Sequence, residues 1–243
     1  MQQVFLGTCP KDNTMPESNE DYSVFDANRN RFALCDGASE SFDSKLWGRI
    51  LAEKYIGDNA VTQEWIRSAI DDYGSCHDRA NLSWSKQAAF DRGSFATLLG
   101  VEHDPGHSTV EILAVGDTLA VLVDGTNMVE SWPFSDPEQF KERPTLFCTL
   151  SEHNSFIDKK YFWNSSGKIF ELDRFSSPLL LCMTDALGEW TLREVQSGRD
   201  SLALLAGLSS EQQLIDLVPQ ERAAKRMKVD DSTLAILSFA SSS

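Results

Sequence analysis

Acidic residues recur where apolar, strand-like runs meet turns: Asn19-Glu20-Asp21, Asp36-Gly37, Gly116-Asp117, Asp185 and Asp230-Asp231. Carboxylates placed at strand ends can converge in space. Hard divalent cations take several oxygen ligands at once, and Mg2+ or Mn2+ suits carboxylate, carbonyl and water. The chemistry this set points to is a hydrolytic metal centre, in which a pair of divalent ions activates water and neutralises charge on a phosphoryl group. Such a pair needs a bridging carboxylate. Asp36 is the candidate, because it ends the run Phe32-Ala33-Leu34-Cys35 and precedes Gly37, whose small size leaves its backbone carbonyl free as a further ligand. Asp185 follows the run Leu179 to Met183, and Asp230 precedes the run Thr233 to Leu237. Two more core strands would thus bring carboxylates to the same rim, to hold one ion between them.

The elements that must position these residues are legible in part. Tyr22 to Asp26 and Arg31 to Cys35 flank Ala27-Asn28-Arg29-Asn30 and read as a hairpin that delivers Asp36 at its end. Ser94 to Val101, Thr109 to Val115 and Leu119 to Val123 read as three further strands in an antiparallel meander, turned at His103-Asp104-Pro105-Gly106 and at Gly116-Asp117. Pro178 to Met183 and Thr233 to Phe239 are continuous apolar runs short enough for buried strands. Apolar residues at three- and four-residue spacing predict amphipathic helices over Phe42 to Ile56 and Thr62 to Leu82. A second helical pair is expected over Leu192 to Leu208 and Ser210 to Lys228, the latter opened by a Ser210/Gln213 capping box. Helices grouped between strand groups predict an α+β fold with helix layers outside two sheets. Residues 127–172, with Trp132-Pro133, Asp136-Pro137 and Asn164-Ser165-Ser166-Gly167, read as an irregular, flap-like segment, the kind that serves as a binding loop.

Length and composition narrow the function classes. At 243 residues and 41% hydrophobic the chain can bury a sizeable core and is expected to be one domain over 1–243. A formal net charge of −15 disfavours binding to nucleic acid or to an anionic membrane. The basic stretch Arg222 to Lys228 reads as a solvated helix end. Neither a spanning run nor a secretion signal is visible, so the expected location is cytoplasmic. The five cysteines are widely spaced and read as reduced core residues. His103 and His107 fall in a hairpin turn, for which a surface role is expected over a general-acid role. Gly93-Ser94-Phe95-Ala96-Thr97 lacks the lysine of a phosphate-binding P-loop.

The same residues carry a resemblance. Asn19-Glu20-Asp21, Phe32-Ala33-Leu34-Cys35-Asp36-Gly37-Ala38, Gly93-Ser94-Phe95-Ala96-Thr97, Ala114-Val115-Gly116-Asp117-Thr118, Leu181-Cys182-Met183-Thr184-Asp185-Ala186-Leu187 and Asp230-Asp231-Ser232-Thr233 resemble, in order and spacing, the signature blocks of the metal-dependent type 2C (PPM) protein serine/threonine phosphatases. The resemblance spans nearly the whole chain. It implies a four-layer α-β-β-α sandwich of two mainly antiparallel sheets and a centre of two Mn2+ or Mg2+ ions, with a weaker third in some members. Asp36 would bridge both ions and the Gly37 carbonyl would bind one. Asp185 and Asp230 would share a metal, and Glu20 and Asp21 would hold the second ion largely through water. Asp117 would help bind the third, and catalysis would rest on Asp36, Asp185 and Asp21. Asp231 replaces the asparagine usual in that block, so whether Asp230 or Asp231 is the ligand stays open at this level. The implied partners are a phosphorylated protein substrate and a serine/threonine kinase, with the chain itself a monomer.

Departures touch the substrate grip more than the metal ligands. Many members place an arginine four residues before the Glu of the Glu-Asp pair, where its planar fork grips phosphate; here Pro16 stands there, leaving Lys11, Arg31 or Arg92 as substitutes. Asp36-Gly37-Ala38-Ser39-Glu40 replaces the usual Asp-Gly-Met-Gly-Gly, Gly93-Ser94-Phe95 the usual Gly-Ser-Thr, and Gly116-Asp117-Thr118-Leu119 the usual Gly-Asp-Ser-Arg. The expected activity is hydrolysis of phosphoserine or phosphothreonine on a protein with metal-activated water. The alternatives are a catalytically weak or inactive phosphatase-like module that binds a phosphorylated partner, and a hydrolase of a small phosphorylated compound.

Overall fold

A computed structural model describes residues 1–239; the Ser-rich end Ser241 to Ser243 lies outside the described residues. In chain order the elements are β1 (Gln2–Cys9), β2 (Tyr22–Asp26), β3 (Arg31–Cys35), α1 (Ser44–Gly57), α2 (Gln63–Ser75), α3 (Trp84–Asp91), β4 (Phe95–Ala96), β5 (Leu98–Asp104), β6 (Thr109–Val115), β7 (Leu119–Asp124), β8 (Asn127–Trp132) and β9 (Phe147–Cys148). They continue with α4 (Phe162–Ser166), β10 (Gly167–Glu171), β11 (Pro178–Met183), α5 (Asp185–Gln196), α6 (Ser201–Ala206), α7 (Glu211–Ala223) and β12 (Ser232–Ser238). Two five-stranded sheets result, in the orders β1-β12-β11-β7-β8 and β10-β6-β5-β3-β2, with antiparallel pairing throughout.

The apolar runs are continuous because both faces of each sheet are covered. Successive side chains point to opposite faces. Phe32, Leu34, Leu99, Val101 and Ile112 therefore meet Leu122, Leu180, Ala235 and Leu237 between the sheets. Their neighbours Ala33, Cys35, Leu98 and Leu113 pack outward on Trp47 and Leu51 of α1 and Trp65 and Ile66 of α2. On the opposite side Val121, Leu181, Leu234 and Ile236 pack against Trp190, Leu205 and Leu214 of α5, α6 and α7. These three apolar layers make the α-β-β-α sandwich that the sequence led us to expect.

The hairpin β2–β3, the strand β11 and the Thr62 and Ser210 helix starts fall where the sequence places them. Thr62 Oγ1 accepts the Trp65 N–H at 3.2 Å, and Gln213 Oε1 accepts the Ser210 N–H at 3.2 Å.

Several expectations are corrected. The meander is broken: β5 and β6 pair, but β7 pairs with β8 and β11 in the other sheet. The Gly116-Asp117 turn is thus a crossing between sheets. Gly116 makes it at φ +107°, where a Cβ would also lie 2.5 Å from the Thr97 methyl. The strand expected over Ser94 to Val101 breaks at Thr97 into β4 and β5. The second helix ends at Ser75 rather than Leu82, and α5 begins at Asp185 rather than Leu192, because Gly188 lets it pack closely on Leu119 and Phe140 instead of ending it. Residues 127–172 are more ordered than expected, since β8 and β10 form sheet edges and only the stretch between them is a chain of short pieces. His103 is buried against Phe239 beside the N-terminus, not at the surface, whereas His107 is exposed. Cys9, Cys35, Cys148 and Cys182 are buried thiols and Cys76 is exposed, and none forms a disulfide.

Candidate metal centre

At one end of the sandwich lies a cavity of about 150 Å³, lined by Asp36, Gly37, Ala38, Ser39, Thr97, Asp117, Pro144, Leu146, Asp185 and Asp230. Each carboxylate arrives from a different element. Asp36 leaves β3, Asp117 sits in the crossing from β6 to β7, Asp185 opens α5 after β11, and Asp230 precedes β12. Asp185 in the first turn of a helix is also where the helix dipole favours an acid.

Thr97 couples two of these arms. Its Oγ1 accepts the Asp36 N–H at 2.8 Å and pairs with the Thr118 hydroxyl at 2.7 Å, and its own N–H donates to the Asp36 carbonyl at 2.9 Å. Gly37 fits because a Cβ there would lie 2.9 Å from the backbone and side chain of Ser44.

Asp21 does not line the cavity and is half-buried, against Thr184 and Thr233. Its Oδ2 accepts the hydroxyls of Thr233 at 2.6 Å and Thr184 at 3.1 Å, while its Oδ1 is buried with no hydrogen-bond partner. Glu20 faces another way, accepting Lys11 Nζ at 2.7 Å and the Ser44 hydroxyl at 2.5 Å. Asp231 is 3% exposed and does not line the cavity; it accepts the backbone N–H of Lys11 at 2.7 Å and of Glu20 at 3.0 Å. Of the two neighbours, Asp230 is the one at the cavity.

Electrostatics set this group apart. Burial, with Asp21 and Asp185 nearby, holds the Asp36 carboxyl well above the usual carboxylate range. Burial pushes Asp21 up to about 8 and Asp117 up to about 6. Asp185 is raised by burial, with Lys228 opposing the shift. Its Oδ1, like that of Asp21, is buried without a partner. An all-oxygen donor set with two orphaned buried carboxyl oxygens fits a hard divalent cation. Among the described residues, however, no group of three or more His, Cys, Asp or Glu side chains stands close enough to hold one ion in this conformation. Lys228 stands between two of these carboxylates: its ammonium donates to Asp185 Oδ2 and lies 3.5 Å from Asp230 Oδ2.

The basic stretch Arg222 to Lys228 is therefore not merely a solvated helix end. Arg222 donates to the carbonyls of Pro10, at 2.8 Å, and Asp230, and to the Ser232 hydroxyl at 3.1 Å, bracing the loop that carries Asp230. Sequence reasoning also missed the hydroxyl pair on Asp21 and the ammonium of Lys228, and no local signal marks them. Of the substitutes for the missing arginine, Arg31 is spent on Glu102, Asn59 and the Ile56 carbonyl at the far end of β3. Lys11 reaches Ser39 on the cavity wall at 2.6 Å. Arg92 lines a larger cavity of about 530 Å³ with Arg143 and His153, which shares Ala38, Pro144 and Leu146 with the acidic one.

No protein-family model matches the chain, and no curated protein matches it in sequence. Solved structures do match over nearly their full length. The serine/threonine phosphatase Stp1 from Staphylococcus aureus shares 14% identity over 98% of this chain and 96% of its own, with a TM-score of 0.57. The PPM Ser-Thr phosphatase MsPP from Mycobacterium smegmatis, solved with cacodylate, shares 14% over 99% and 100%, with a TM-score of 0.56. The catalytic domain of the phosphatase PstP, solved with two manganese ions, shares 11% over 97% and 98%, also at 0.56. The chain has the PPM phosphatase fold.

Proposed function

We propose that the protein is a single-domain, metal-dependent phosphatase of the PPM type, acting on phosphoserine or phosphothreonine in a protein. The observation that carries this reading is the convergence of four carboxylates from four separate elements on one small cavity, with buried carboxyl oxygens left unpaired beside it. Asp36 and the Gly37 carbonyl, Asp185 and Asp230 would hold two Mn2+ or Mg2+ ions, with Asp117 toward a weaker third and Asp21 and Glu20 acting from behind. When bound, the ions supply charge for the phosphoryl oxygens and activation of water. The chain's own part is orientation. Thr97 fixes Asp36 from both sides of its peptide, and Thr184 and Thr233 hold one oxygen of Asp21 so that the other points free. Arg92, Arg143 and His153 line the neighbouring cavity, where a phosphoprotein segment would lie, and the piece between β8 and β10 that supplies Arg143 and Pro144 forms part of the shared wall.

Two observations favour a catalytically weak, phosphoprotein-binding module instead. Lys228 pairs with two of the proposed ligands, and Pro16 leaves the usual phosphate-gripping arginine unfilled. Turnover of para-nitrophenyl phosphate with Mn2+ separates the two. The enzyme reading expects metal-dependent hydrolysis that falls by about a hundredfold or more in Asp36→Asn, since that swap withdraws the bridging charge while keeping size. Activity unaffected by chelator, or retained by Asp36→Asn, would remove it.

A further inference from the structure

Two carboxylates of the acidic cavity already share a cation of the chain's own. Lys228 lies two residues before Asp230 in the segment between α7 and β12, and its ammonium donates to Asp185 and approaches Asp230. These are the two carboxylates that, on the reading above, share one divalent ion. The lysine is not locked in, since its side chain is 41% exposed and the adjoining Val229 is 67% exposed. Its departure would leave Asp230 in place, because Arg222 grips the Asp230 carbonyl and the Asp231 N–H donates to Asp230 Oδ1 at 3.0 Å.

We propose that Lys228 is a built-in competitor for one of the two metal positions: its ammonium occupies the place between Asp185 and Asp230 and must swing outward before a divalent ion binds there. This rests on the metal-centre reading and adds to it an inequality between the two ions. A single positive charge lies between two carboxylates, so an ion arriving at that side must first break a charge-assisted hydrogen bond, whereas an ion held through Asp36 and the Gly37 carbonyl displaces no ammonium from those two ligands, since Lys11 bonds to Glu20 and Ser39 instead. The wild-type protein therefore takes one ion readily and the second reluctantly. Lys228 would then set the divalent concentration at which the centre is complete.

The test is calorimetric titration of Mn2+ into chelator-stripped full-length wild type and Lys228→Met, with Lys228→Gln as a second neutral variant and circular dichroism as the check on folding. Two unequal binding steps are expected for wild type, with the weaker step tightened by about threefold to tenfold in both variants, the range of a partly exposed charged hydrogen bond. The tighter step should move little. Second binding steps that are unchanged or weakened in both folded variants would overturn the proposal while leaving the metal centre standing. Absence of Mn2+ binding in every form would overturn the metal-centre reading and this inference with it. Binding of a second ion by the variants alone would support the competitor in its strongest form.

Discussion

Lys11 and Lys228 each stand between two carboxylates at the same end of the sandwich, but those carboxylates differ in what else holds them. On the Lys11 side, Nζ lies 2.7 Å from Glu20 and 3.8 Å from Asp231. Asp231 also receives two backbone N–H groups, and Glu20 a serine hydroxyl. If the ammonium were lost, those acceptors would still be partnered. On the Lys228 side, Asp185 has a buried oxygen with no donor, and the lysine arm is open to solvent. An ion pair whose carboxylates are both otherwise partnered is a brace, whereas one that includes a carboxylate with an orphaned buried oxygen can be exchanged for another cation. Two lysines with similar contacts are thus set to different tasks by the hydrogen bonds around their partners.

The sharpest way to break that comparison is to remove the framed carboxylate. Asp231→Ala strands the N–H groups of Lys11 and Glu20 and leaves Lys11 short of charge, so a stability loss of about 2–4 kcal/mol is expected, read as a shift in the denaturation midpoint. Asp230→Ala should lower stability far less, since Asp230 faces the cavity, but should weaken Mn2+ binding. Equal stability losses for the two would mean that the neighbours do not divide the structural and metal tasks.

Asp21 extends the contrast, because two hydroxyls and no lysine approach it. Its folded pKa, pushed by burial to about 8, lies above the ordinary value near 4. The folded state therefore keeps a proton that the unfolded chain releases. The stability tied to this group is fully present near pH 4 and is lost as pH rises through about 8. Chelator-treated wild type should accordingly lose melting temperature relative to Asp21→Asn between pH 5 and 8, and added Mn2+ should restore it in wild type if ions neutralise the cluster. A pH-independent gap between the two proteins would contradict the buried, protonated carboxyl.

How much of this was legible in the sequence follows from how local each cause is. Strands covered on both faces give unbroken apolar runs, so β3, β11 and β12 and the carboxylates at their ends could be read directly. The crossing at Gly116 could not, because it depends on a positive φ and on the Thr97 methyl across the gap, whereas Gly-Asp alone reads as an ordinary turn. The choice between Asp230 and Asp231 was closed to sequence for a similar reason. Asp231 turns inward to amides 211 and 220 residues away, and nothing in the block itself distinguishes the two. Lys228 looked like one cation among several at the solvated end of a helix expected to run to it; the helix stops at Ala223, and only the fold of the segment beyond carries Lys228 back over Asp185.

The smallest effect expected concerns Pro16, which opens a single exposed 3-10 turn, Pro16–Ser18, at the position where the sequence resemblance would put a phosphate-gripping arginine. A missing contact made equally in ground and transition states raises KM and leaves kcat nearly unchanged. Wild type should therefore show a high KM for small aryl phosphates. Pro16→Arg should lower it by about threefold at unchanged kcat, less than a fully formed charged hydrogen bond gives, because an arginine at an exposed turn is screened by solvent. Lys11 is the reason the gain is small. Its ammonium already touches Ser39 on the cavity wall, although Glu20 competes for the same charge. Steady-state kinetics of both proteins decide between the two cations. A KM that does not move on installing the arginine, together with a low wild-type KM, would mean that Lys11 serves the incoming phosphate as well as its brace, and the division drawn between the two lysines would have to be redrawn.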